Sequence, residues 1–269
     1  MSYKNIYILG VGGSGMSSIA KYLKQKGDNV IGYDQRKSYV TNLLNQDGIK
    51  VVYTLDEITY KPDSLYIYSS AIPIESDRFE DFYDKENVLS RPEYLKNLSE
   101  NHKIIGITGT HGKTSTTALL SHIFHFNNVN VSYLYGGITT FNGIGGHYGD
   151  PDQPLILETD EAFNTFEKIK ISDLLVLNVD SDHLDYFKNL DNYKDAFYKV
   201  MKNVTDNLVI NNDDLNIKSM KELKNPVSYG KDISADFKVQ SPGTFIYENN
   251  KYEIKSNIIG DHFKSNMLG

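Results

Sequence analysis

The apolar positions of this chain follow two alternating periods, and their order predicts most of its elements. Residues 5–9 form a short β-branched and aromatic run that meets a glycine cluster, and residues 14–25 then place Met16, Ile19, Ala20 and Leu23 at helical spacing. Gly27 stands where a helix C-terminal glycine belongs, and residues 29–33 supply the next strand, ending at Asp34. This is a βαβ unit, and strand-like runs at 50–53 and 65–68 extend it into a parallel sheet with right-handed crossovers. A polar bridge at 98–103 separates it from a second strand, turn and helix at 104–108, 109–113 and 114–126. Apolar runs at 155–157, 174–177 and 208–210 alternate with helical patterns, clearest at 193–201, and predict a second sheet. Residues 237–240, 244–247 and 252–255 read as short antiparallel strands with Gly and Asn turns. The expected fold is therefore α/β: a Rossmann-like parallel-sheet domain over 1–98, followed over 99–269 by a P-loop α/β ATPase domain with a small antiparallel β extension.

Composition narrows the chemistry. A length of 269 residues with 39% hydrophobic residues supports two ordinary cores. Lys plus Arg at 28 against Asp plus Glu at 35 leaves a formal charge of −7, so no general attraction to nucleic acid or to an anionic membrane is expected, and any anionic ligand must be held locally. The absence of cysteine excludes disulfides, thiolate metal sites and a cysteine nucleophile. No apolar run reaches the length of a membrane span, and the amino terminus lacks a signal-peptide layout, so a soluble cytoplasmic protein is expected.

Two turns carry candidate chemistry. Gly10-Val11-Gly12-Gly13-Ser14-Gly15 sits between a strand and a helix, with Asp34 closing the next strand. Such glycines let the backbone approach a diphosphate that the amides and the helix N-terminus stabilise, and the pattern fits a dinucleotide or a nucleotide sugar alike. Gly109-Thr110-His111-Gly112-Lys113-Thr114 also follows a strand, and offers the amides, lysine and hydroxyl that a triphosphate and its magnesium need. It departs from the strict P-loop spelling because Ile107 stands where the first glycine belongs. Lys113 is expected to neutralise phosphate charge and Thr114 to reach Mg²⁺. Glu158 and Asp160 end another strand from which a carboxylate could reach that metal; a solvated acidic loop is the plainer alternative. Residues 178–185 end a further strand, and His183 is either a metal ligand or a structural histidine. His122 and His125 share a helix face without a third ligand nearby and read as structural. No acyl-enzyme motif is present.

Together these motifs resemble the Mur ligases of peptidoglycan synthesis, in register over essentially the whole chain. Gly10, Gly12, Gly13, Ser14, Gly15 and Met16 look like the family's amino-terminal turn, which cradles a UDP diphosphate and binds no NAD, and Ser69, Ser70 and Ala71 are similar to the segment closing that site; Asp34 is grouped with them. Gly109, Thr110, His111, Gly112, Lys113, Thr114 and Ser115 match the family's own P-loop variant. The resemblance puts Glu158 at the family's metal-binding glutamate and His183 in the Asn-x-x-x-Asp-His stretch that binds a second magnesium, so Thr114, Glu158 and His183 form the implied metal set, and Lys113, Glu158 and His183 the catalytic one. Phe163 replaces an acid that many members carry, and Phe263 replaces an asparagine of the adenine-contacting segment, in which Asn266 remains a candidate.

The resemblance implies a ligase that uses ATP and Mg²⁺ to join L-alanine to UDP-N-acetylmuramate through an acyl phosphate. The alternatives are a ligase for a preformed peptide on the same sugar nucleotide and a silent UDP-sugar or ATP-binding module; an NAD-dependent oxidoreductase would leave residues 109–114 unexplained. Family members carry a third, dinucleotide-fold domain, which this chain, ending in what reads as the start of a helix, is expected to lack.

Overall fold

The run Asn5–Leu9 forms strand β1, with Ile8 and Leu9 wholly enclosed. Beyond the glycine turn, helix α1 (Ser14–Lys26) buries Met16, Ile19, Ala20, Tyr22 and Leu23 and ends at Gly27, whose φ of 100° lets its N–H reach the carbonyls of Leu23 and Lys24. Then come β2 (Val30–Tyr33), α2 (Tyr39–Gln46), β3 (Lys50–Val52), β4 (Ser64–Tyr68), β5 (Val88–Ser90) and α3 (Arg91–Ser99). Ser38 and Ser90 begin α2 and α3 with reciprocal capping boxes to Thr41 and Glu93. The computed structural model describes residues 3–160, 165–180, 187–220, 223, 225–241, 244–253, 266–267 and 269.

These strands form a wholly parallel sheet in the order β3-β2-β1-β4-β5. Tyr7, Leu9, Tyr33, Tyr66, Phe79 and Phe82 build one of its cores, in which the rings of Tyr7 and Tyr66 stack 4.9 Å apart. The chain runs outward to β3 on one side and to β5 on the other, so its direction switches between β1 and β4. Open α/β sheets bind ligands at the carboxyl ends of the strands flanking such a switch.

The chain continues through β6 (Ile104–Thr108), α4 (Lys113–Phe126), β7 (Ser132–Thr139), β8 (Gly143–His147), β9 (Leu155–Glu158), α5 (Thr165–Lys168) and β10 (Asp173–Val176). It then forms α6 (Leu190–Lys202), β11 (Leu208–Asn211), α7 (Leu215–Lys218), β12 (Val227–Gly230), β13 (Phe237–Ser241), β14 (Thr244–Tyr247) and β15 (Asn250–Glu253). It divides into two compact units, Met1–His102 with Ser121–Leu155, and Lys103–Leu120 with Ile156–Gly269.

This grouping differs from a single cut after residue 98, because the antiparallel β7–β8 hairpin packs on α1. A Cβ at Gly146 would lie 2.0 Å from the Ser18 carbonyl oxygen, so strand and helix approach as only glycine allows. Lys21, buried on α1, donates to the carbonyls of Asn142 and Ile144 and faces Asp47. The Tyr148 N–H reaches Gln25 Oε1 at 3.0 Å. Burial lowers the Lys21 pKa, with Asp47 opposing.

In the second unit the strand order is β15-β14-β13-β12-β11-β10-β6-β9. β6, β10, β11, β12 and β13 pair in parallel, and β13-β14-β15 is the antiparallel extension, continuous with the main sheet through β12. β6 thus lies between β10 and β9, and the loop after it is flanked by the carboxyl ends of both. Among the described residues no helix is long and apolar enough to cross a membrane.

Candidate functional site

In the first unit the two predicted segments meet at the switch between β1 and β4. The Ser69 N–H donates to the Leu9 carbonyl at 3.1 Å, so residues 69–71 lie alongside the glycine turn, with Ser70 and Ala71 exposed. Gly10 and Val11 donate to the Tyr33 carbonyl at 2.8 and 2.9 Å, which holds the turn over the end of β2. Gly13 and Ser14 are exposed at the start of α1, and no side-chain hydrogen bond caps that helix, so its first amides present partial positive charge.

Two of the candidate residues also serve the fold. Asp34 accepts the N–H of Gly12 at 2.8 Å on Oδ2 and that of Arg36 at 3.1 Å on Oδ1. Its carboxylate braces the turn, whereas a dinucleotide fold aims such an acid at a ribose. Met16 is only 2% exposed and its N–H goes to the Gly13 carbonyl, so its side chain packs beneath the turn. Arg91 was not foreseen: at the start of α3 its guanidinium packs on Gly15, with Nε 2.8 Å from where a Cβ would stand. This sets a cation beside the turn. The Ser90–Glu93 capping box marks α3 in the sequence, but the proximity of its first residue to Gly15 arises from the β1-β4-β5 order.

In the second unit the loop of residues 109–112 is tied to the segment after β10, and the strand that leads into it is tied to the end of β9. Toward β10, Thr110 N–H donates to the Asn178 carbonyl at 3.0 Å, while the Asn178 amide clamps His111, accepting its N–H at 2.8 Å and donating to its carbonyl at 2.9 Å. Toward β9, Thr159 donates its N–H and hydroxyl to the Ile107 carbonyl at 2.9 and 3.1 Å, and the Thr108 hydroxyl donates to the Thr159 carbonyl at 3.1 Å. Ile107 is therefore a buried strand residue locked to β9, and the turn begins only at Gly109; the missing motif glycine has no structural job at 107.

Lys113 donates to the carbonyls of Gly109 and Thr110 at 2.7 and 3.4 Å, which holds its ammonium over the loop. The Thr114 hydroxyl donates to Glu158 Oε1 at 2.7 Å, and Glu158 is 9% exposed. A hydroxyl and a buried carboxylate in contact are hard oxygen donors and fit magnesium. Gly112 has φ of 86°, and the Asn266 amide packs on it, with Nδ2 2.6 Å from where a Cβ would stand. Ser115 is exposed on the first turn of α4. His183, Phe163 and Phe263 lie outside the described residues. The rings of His122 and His125 pack 5.1 and 6.0 Å from that of Phe141, and among the described residues no group of three or more His, Asp or Glu could hold a metal.

The chain matches two family models, the Mur ligase family catalytic domain over residues 5–103 and the Mur ligase middle domain over residues 107–269. It is 33% identical to the UDP-N-acetylmuramate--L-alanine ligase of Cytophaga hutchinsonii, over 88% of this chain and 53% of that protein. It is also 33% identical to the ligase of the same description from Clostridium botulinum, over 98% of this chain and 61% of that protein. The chain thus spans between about half and three fifths of the length of these relatives. Its fold superposes on a UDP-N-acetylmuramate-alanine ligase from Thermotoga maritima with a TM-score of 0.82 at 24% identity, covering 98% of this chain and 63% of that one. A UDP-N-acetylmuramate:L-alanyl-gamma-D-glutamyl-meso-diaminopimelate ligase from Neisseria meningitides gives 0.82 at 21%, covering 99% and 91%. At these identities the two structures speak to the fold alone.

Proposed function

This chain belongs to the Mur ligase family, and from that premise we propose that it is the UDP-sugar- and ATP-binding part of an ATP-dependent amide ligase. The reaction joins L-alanine to the lactyl carboxylate of UDP-N-acetylmuramate in peptidoglycan precursor synthesis. The observation that carries this reading is the loop of residues 109–112, clamped at His111 by Asn178 and followed on the first turn of α4 by Thr114, whose hydroxyl meets the buried Glu158 carboxylate. Alanine is preferred to a preformed peptide because the relatives at 33% identity are described as alanine ligases.

Each residue then has a chemical task. Backbone amides of the loop and Lys113 offset charge on the phosphates as the substrate carboxylate attacks the γ-phosphorus and ADP leaves. The resulting acyl phosphate is attacked by the amine of L-alanine, phosphate departs, and the amide forms without a protein nucleophile. Thr114 and Glu158 would hold magnesium, which supplies charge neutralisation at the β- and γ-phosphates; His183 joins this set on resemblance. Asn266, packed on Gly112, is assigned to the nucleotide side of the loop. In the first unit, the turn of residues 10–15, Arg91 and residues 69–71 receive the UDP diphosphate. The engagement of both Asp34 oxygens by backbone amides argues against NAD, whose ribose such a carboxylate would bind. Nucleotide substrates and a chain free of cysteine fit a cytoplasmic enzyme.

Calorimetric titration with UDP-N-acetylmuramate, with UDP-N-acetylglucosamine and NADH as controls, tests the sugar site. Selective binding of the muramate nucleotide is expected. Tight NADH binding, or no sugar-nucleotide binding, would overturn this half of the reading. Lys113→Ala is expected to abolish ATP binding while leaving the sugar nucleotide's affinity unchanged; equal loss of both would sink the assignment of one nucleotide to each unit.

A further inference from the structure

Tyr193 belongs to none of the motifs, yet its hydroxyl ends in the loop they define. It lies on α6, whose buried face carries Tyr193, Ala196, Phe197, Val200 and Met201 at helical spacing, and in the sequence it reads as a core residue. It is 0% exposed. Its ring packs edge-on against Phe187 at 5.0 Å and tilted against Phe197 at 5.1 Å, with Phe166 behind Phe197 at 5.3 Å. The hydroxyl lies 2.9 Å from Thr110 Oγ1. That same oxygen accepts the Asp180 N–H at 2.8 Å and lies 3.3 Å from the Asp180 carbonyl.

A threonine hydroxyl has one proton and two lone pairs. If Thr110 gives its proton to the Asp180 carbonyl and one lone pair to the Asp180 N–H, the second lone pair receives the Tyr193 O–H, and the oxygen is saturated. Its main chain is tied to the same strand end by the bond from Thr110 N–H to the Asn178 carbonyl. We infer that Tyr193 is a positioning residue for the nucleotide phosphates, acting through Thr110 to hold the loop of residues 109–112 in register with residues 178–180. Packing explains the ring but not the hydroxyl: a buried phenol gains by giving its O–H a partner, and this one finds it in the loop. The loop acts through the directions of its backbone amides, so a slack Thr110 would weaken the anion cradle even with every glycine present.

The inference rests on the reading of residues 109–114 as a triphosphate loop, and the experiment separates the two. Tyr193→Phe keeps the ring contacts and removes only the hydroxyl. ATP affinity in the presence of magnesium is expected to fall about five- to tenfold, the size of one buried hydrogen bond. UDP-N-acetylmuramate affinity stays unchanged, and amide exchange accelerates at Asp180. Thr110→Val should weaken ATP binding too, and the double variant should be no worse than Thr110→Val alone, because one oxygen carries both effects. Wild-type ATP affinity in Tyr193→Phe with only a lowered melting temperature, or additive losses in the double variant, would overturn the inference. If the unaltered chain binds the sugar nucleotide but not ATP, the loop reading itself fails and the inference falls with it.

Discussion

At the level of single residues the decisive contact is between Thr114 and Glu158, because it places a hydroxyl from the first turn of α4 and a buried carboxylate from the end of β9 within 2.7 Å. Glu158→Gln keeps an acceptor for that hydroxyl and removes the charge. Expected is a magnesium requirement for ATP binding shifted upward by about tenfold, with little change in melting temperature. A magnesium titration of ATP affinity checks this, and an unmoved midpoint would remove Glu158 from the metal set. The sequence already marks Lys113, Thr114, Glu158 and Asn178, since each stands on or just after a strand whose pattern is plain. It does not mark Arg91 or Tyr193, whose roles come from distant partners, nor the bracing bond from Asp34 to Gly12; Met16 it reads as an apolar helix position as well as with the turn, and the side chain is buried.

Among the elements, the association of α1 with the β7–β8 hairpin makes the sharpest prediction. A methyl at Gly146 would meet three backbone atoms of Ser18, with the carbonyl oxygen at 2.0 Å, and no side chain can rotate away to admit it. Gly146→Ala is expected to cost about 2 kcal/mol or more, read as a lowered midpoint in urea, because helix and strand must separate. A midpoint like that of the unaltered chain would show that the close approach relaxes freely. Strands β1, β4, β6, β9, β10 and β11 and helices α1, α4 and α6 are legible as hydrophobic periods, whereas β7 and β8 are not. Their segments carry Gly136, Gly137, Gly143, Gly145 and Gly146, which blank the alternation of apolar side chains on which the reading depends.

Over the whole molecule, pH bears on stability through His147, which closes the hairpin against Asn130 at 2.8 Å. Burial first, and then the charges of Lys21 and His125, hold its pKa below the usual imidazole value. The folded state therefore binds fewer protons than the unfolded chain just below about pH 6.5, and stability rises with pH there. The advantage is complete above that value and is lost as the pH falls through the folded pKa. Melting temperatures between about pH 5 and 8 should show this decline on the acid side, and His147→Gln should flatten it; an unchanged profile would assign the slope to other groups. The sequence by itself determined the alternation of strands and helices and the two glycine turns, because hydrophobic period and turn chemistry are written in residues adjacent along the chain. Only the tertiary structure decided that Asp34 serves Gly12, that Arg91 reaches Gly15, that Tyr193 steadies Thr110, and that residues 121–155 group with the first unit. Those outcomes depend on which strands lie side by side and on how closely backbones approach, and local periodicity carries no record of either.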